Sequence, residues 1–121
     1  MNKIYVAVAF LIIIPLASFF YIGYITDKGE EIVKEIKLAY EYAQSDESHF
    51  ENVEKKWEKF EKSLAFSTNH AVIENINESI IKSKEYLKNG RTDMYKVELK
   101  WLEKLIKHTG EMEKPGAENI F

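Results

Sequence analysis

Residues 4–25 read IYVAVAFLIIIPLASFFYIGYI, twenty-two positions without a charge, preceded by Lys3. As a helix this run rises about 33 Å, close to the thickness of a bilayer's hydrocarbon core. It therefore reads as a membrane anchor over residues 1–26, with the lipid bilayer contacted through residues 4–25. The remaining stretch, 27–121, reads as a small charged domain tethered at a membrane surface.

A cleaved signal peptide is the competing reading of the same run. Signal sequences carry a shorter apolar region, of about 7–15 residues, closed by a small-x-small site. Here the run is longer and ends in Tyr21, Ile22, Gly23, Tyr24 and Ile25, which suit an interface better than a peptidase. Pro15-Leu16-Ala17 is a poor cleavage site inside the run, so the anchor is expected to stay. The chain has no cysteine, which leaves no thiol for a lipid anchor.

Charge predicts the orientation. Lys3 and the amino group flank one side of the run without an acid, whereas Asp27 to Lys34 mixes both signs. The positive flank is expected in the cytoplasm and residues 27–121 outside it. Phe19, Phe20, Tyr21 and Tyr24 gather at the far end, as an interfacial aromatic belt does.

All 20 acids lie after residue 26 against 16 of the 17 basic residues, so that part carries a formal charge of 16 − 20 = −4. Arg91 is the single arginine. Nucleic-acid binding is not expected, because phosphate recognition calls for a basic patch and usually arginine forks. Without cysteine there are no disulfides, thiolate nucleophiles or cysteine zinc sites. Ninety-five residues supply one core.

Helical periodicity runs from residue 28 to 113. A first segment, about 28–44, places Ile32, Val33, Ile36, Ala39, Tyr40 and Ala43 at spacings of three and four. Asp27 and Glu30 can form a capping box that ends the anchor at a hinge; a continuous helix through Gly29 is the alternative. Ser48 and Glu51 give a second capping box, and Phe50, Val53, Trp57, Phe60 and Leu64 follow in heptad order. Glu51–Lys55 and Glu58–Lys62 are i,i+4 pairs on a solvated face. At Ser67-Thr68-Asn69 the stripe changes phase, to Ile73, Ile76, Ile80 and Leu87. Three N-cap formers there favour a helix break, with a continuous helix as the other option.

Asn89-Gly90 ends the third segment, with Gly90 suited to a left-handed C′ position. Thr92 can cap the fourth, whose expected inward residues are Met94, Val97, Trp101, Leu102, Leu105 and Met112. Trp57 and Trp101 are both expected in the core and close together. The fold class is thus all-α: a transmembrane helix, then an up-down antiparallel bundle of about four helices over 27–114 and a tail over 115–121. A hairpin array of the tetratricopeptide kind is second, since no 34-residue repeat is evident.

Chemistry is sparse. His70 and Glu74 share a helix face and can give two metal ligands, with His108 as a third if the fourth helix lies alongside. A neutral histidine near a helix start fits the same spacing, and no metal or other cofactor is expected. No phosphate loop, nucleophile elbow or metalloprotease motif occurs, so no catalytic residue is assigned. Asn119, Ile120 and Phe121 at the chain's end, with Trp101 if it is exposed, are the partner-binding candidates. The two apolar residues are expected in a groove on the bundle itself or on a partner.

Trp57-Glu58-Lys59, His70, the isoleucines at 73, 76 and 80, and Asn119-Ile120-Phe121 together resemble an uncharacterised bacterial family known only as a domain of unknown function. The resemblance covers nearly the whole chain. It implies a small single-span protein of spore-forming Gram-positive bacteria with a helical domain and no known catalysis. Its members are often encoded near multi-spanning membrane proteins, which implies an accessory role. The acidic residue that the family carries just after the histidine is replaced here by Ala71-Val72, which weakens a ligand role for His70. The function expected is a non-catalytic binding module for another membrane protein. A ligand- or metal-sensing bundle is the alternative, and a structural protein that self-associates as a homo-oligomer is the third possibility.

Overall fold

The computed structural model describes the backbone of residues 2–64 and 69–113, and side chains as far as residue 109. Four helices make up the fold: α1 (Lys3–Glu41), α2 (Ser48–Leu64), α3 (His70–Lys88) and α4 (Thr92–Glu113). No strand occurs among the described residues.

The apolar run and the bundle share one helix. α1 runs 39 residues without interruption, about 58 Å, through both Pro15 and the junction at Asp27. Of the two readings of that junction, the continuous helix holds. Gly29 is buried there, where an added Cβ would stand 3.9 Å from the Phe60 ring.

Residues 2–20 are exposed, whereas Tyr21 and Ile22 are half-buried and Ile25 is fully buried. The Tyr21 hydroxyl donates to the Ser63 carbonyl at 2.6 Å. The bundle therefore reaches down over the last turn of the apolar run. Among the described residues α1 is the one helix long and apolar enough to cross a membrane, a test that a signal sequence also passes.

Cross-helix pairs give the topology. Lys56–Glu35 and Tyr21–Ser63 make α2 antiparallel to α1. Trp57–Asn77 and Glu54–Lys84 make α3 antiparallel to α2, and Ser79–Glu98 does the same for α4 and α3. Lys37–Glu103 closes the ring between α1 and α4. The result is an up-down-up-down bundle in which the chain reverses between α2 and α3, so these are two helices and not one. α4 packs broadly on α1 and α3, while α2 meets α3 mainly through long side chains.

The core follows the predicted stripes for three helices. Ile32, Val33, Ile36 and Ala39 of α1 are buried with Ala43, just beyond it. All five heptad residues of α2 join them, as do Ile73, Ile76 and Ile80 of α3. Tyr40 and Leu87 are half-buried at the edge.

Helix ends are set by local chemistry. Asn69 caps α3 through its side chain, which accepts from the Ala71 amide at 2.9 Å. Gly90 has φ +71°, and Arg91 and Gly90 donate back to the Tyr86 and Leu87 carbonyls. This is the six-to-one, five-to-two pairing of a Schellman motif. At the start of α2 the Ser48 hydroxyl turns to Asp46 instead of pairing reciprocally with Glu51. That hydroxyl and the Ser48 amide both donate to Asp46, and they hold its carboxyl below the ordinary value.

Candidate functional site

α4 is apolar on two faces. Tyr95, Leu99, Leu102 and Ile106 recur at four, three and four residues and all point into the core. Tyr95 meets Phe50 edge-on with ring centroids 5.8 Å apart. Burial pushes its hydroxyl up to about 12, with the Glu47 carboxylate adding to the effect.

Met94, Val97 and Trp101 form the second stripe, and all three are exposed. This corrects the sequence reading, which turned them inward. Trp101 is 49% exposed whereas Trp57 is 3% exposed, so the two tryptophans do not share a core. Trp57 instead donates its indole N–H to Asn77 at 2.7 Å and meets Phe60 edge-on. The physical reason is competition between two stripes of the same period. The inward one contains the four residues that fit between α1 and α3, and Leu102 and Leu105 are the members of the expected set that are buried.

Beside the apolar stripe runs a basic one. Lys96, Lys100, Lys104 and Lys107 follow at spacings of four, four and three, on one side of α4. Lys96 and Lys100 lie over the Tyr40 ring at 4.7 and 4.6 Å, and Lys104 lies 5.9 Å from the Trp101 ring. Neither carboxylate of this stretch neutralises them. Glu98 accepts from the Ser79 hydroxyl at 2.9 Å, and Glu103 faces Lys37 at 3.9 Å with one oxygen buried and without a hydrogen bond. Two open grooves flank the face. One of about 350 Å³ lies between α1 and α4 around Ile36, Tyr40 and Leu99, and one of about 380 Å³ lies against Trp101, Leu105 and His108.

The histidine candidates fall elsewhere. His70 and Glu74 are both exposed in the first turns of α3, and His108 is exposed near the end of α4. The antiparallel α3–α4 pairing puts them at one end of the bundle. Yet no three His, Asp or Glu side chains converge as metal ligands among the described residues. Asn119, Ile120 and Phe121 lie outside the described residues, as does the Met112 side chain. The buried hydroxyls of Ser79 and Thr109 donate to Glu98 and to the Leu105 carbonyl.

The chain matches no curated protein and no solved structure. A family model does match, over residues 16–120, from the middle of the apolar run to the penultimate residue. With that coverage, the chain belongs to the DUF4363 family, a domain of unknown function.

Proposed function

We propose that this protein is a non-catalytic, membrane-anchored helical module that binds another membrane protein through the outward face of α4. One observation carries the reading: Met94, Val97 and Trp101 form an exposed apolar stripe on a bundle whose core is already complete without them. Trp101 leaves about half of its surface unused by the core, whereas tryptophan is a frequent anchor of protein interfaces. α1 supports the same reading. It joins the anchor to the bundle core as one rod, so cleavage within the run would leave Tyr21 and Ile25 as a frayed end of the domain.

The positive flank at Lys3 supports an amino terminus in the cytoplasm and a bundle outside it. Protease added to intact protoplasts then removes the bundle; protection until lysis reverses the orientation. For the binding role, a photo-crosslinking amino acid at Val97 is compared in native membranes with one at Lys59 on the exposed face of α2. A discrete product with another protein at position 97, absent at position 59, is the expected result. Equal products at both positions, or none at either, contradict the reading.

A further inference from the structure

We propose that the segment received by α4 is an amphipathic, acidic one, standing clear of the lipid headgroups. The inference deepens the binding role above and rests on it.

Charge is mixed along α1, α2 and α3, while one side of α4 carries a row of lysines. α2 alternates glutamate and lysine along its exposed side, and Lys28, Lys37, Lys56, Lys82 and Lys84 each have a carboxylate partner. No ion pair among the described residues holds Lys96, Lys100, Lys104 or Lys107. Lys55, Lys59 and Lys62 also stand outside one but alternate with glutamates along α2, whereas the α4 lysines form one row. The acids that share its grooves, Asp93, Glu41 and Glu103, pair with none of the four. Lysines at i and i+4 repel each other, so this row is costly unless an anion lies along it. An apolar stripe of the same length runs beside it. A partner helix with apolar anchors on one stripe and carboxylates on the next satisfies both rows at once.

Two other occupants fit less well. A second copy lying antiparallel on the stripe, with a two-fold axis across it, sets these lysines against their own counterparts, which is repulsive. One anchored in the same membrane, with the axis along the stripe, sets each row against the partner's Glu98 flank, where Ser79 already holds the carboxylate. Anionic lipid is out of reach by height for all of the row except Lys107, whose long side chain can snorkel towards the outer headgroups. Lys37 opposite Glu103 fixes the antiparallel register, so Lys107 lies level with Val33 and Trp101 with Ala39. At 1.5 Å per residue these levels are about 12 and 21 Å beyond Ile25 on an upright helix. The headgroup layer extends only about 5–8 Å past the hydrocarbon.

The test uses the full chain in nanodiscs of zwitterionic lipid and two synthetic probes without tryptophan. Both are amphipathic helices with leucine at the core heptad positions, flanked by glutamate in one and by lysine in the other. Trp57 is buried, so acrylamide quenching reads Trp101. The acidic probe is expected to shield Trp101, with affinity falling at least tenfold between low and high salt, while the basic probe has no effect. Lys100→Glu, Lys104→Glu and Lys107→Glu combined reverse the preference, and these exposed positions leave the fold intact. Equal shielding by both probes, or by neither, overturns the proposal. So does lysine-dependent binding to anionic vesicles, which assigns the face to lipid, or a dimer with Trp101 protected in the absence of probe. A discrete product at Val97 in native membranes with no preference for the acidic probe leaves the binding role standing and sinks only the partner's chemistry.

Discussion

Truncating the two tryptophans separates core from interface. Trp57 is 3% exposed, and a buried tryptophan removes roughly 200 Å² of surface from water. At about 25 cal/mol per Å² that is about 5 kcal/mol, an upper bound because real unfolded chains already bury part of it. Alanine also leaves a cavity beside Phe60, which brings the expected loss for Trp57→Ala to about 3–5 kcal/mol. The orphaned Asn77 is half-buried and regains water, so its lost hydrogen bond adds only about 1 kcal/mol. Small domains have about 5–15 kcal/mol in total, so this variant is close to unfolding. Trp101→Ala gives up about half as much buried area and places the best helix former at an exposed site, for a loss of no more than about 2 kcal/mol. Urea unfolding of the full chain in detergent, followed by circular dichroism at 222 nm, measures both. Equal losses, or a Trp57→Ala loss under about 1 kcal/mol, refute the assignment of Trp57 to the core and Trp101 to the surface.

Gly29→Ala is expected to stabilise the bundle by up to about 1 kcal/mol in the same assay, because its Cβ meets Phe60 at an ordinary 3.9 Å and alanine favours the helix. Tyr95 makes stability sensitive to alkali. Its hydroxyl ionises near 10 in the unfolded chain and at about 12 in the fold, so its contribution is full below about pH 10 and is lost as pH rises towards 12. Tyr95→Phe flattens that decline in a pH series of melting curves; an unchanged decline assigns it to another group.

The bundle was legible because α2 and α3 each carry a single apolar stripe, so Phe50 to Leu64 and Ile73 to Ile80 could face only inward. The C′ role of Gly90 was legible for a similar reason, since only glycine is comfortable at φ +71°. α4 misled because periodicity does not rank two stripes of equal spacing. Met94, Val97 and Trp101 look as buried by spacing as Tyr95, Leu99, Leu102 and Ile106, and the bulk of tryptophan tipped the reading towards the wrong face. The missed signal was polar: Glu98 and Glu103 flank the true inward stripe and are used by Ser79 and Lys37, while the lysines flank the other. The junction at Asp27 was ambiguous in sequence because a capping box and a continuous helix use the same residues. Burial of Ile25 by the bundle decides it.

The proposed binding role requires the outward face of α4 to be covered by a partner in the membrane. The chain has no cysteine, so single substitutions can report on this directly. Val97 is 67% exposed in the isolated fold. Val97→Cys should therefore label fully with a membrane-impermeant maleimide in purified protein and be protected in native membranes, with Lys59→Cys labelling equally in both. Equal labelling of Val97→Cys in the two preparations rules that role out.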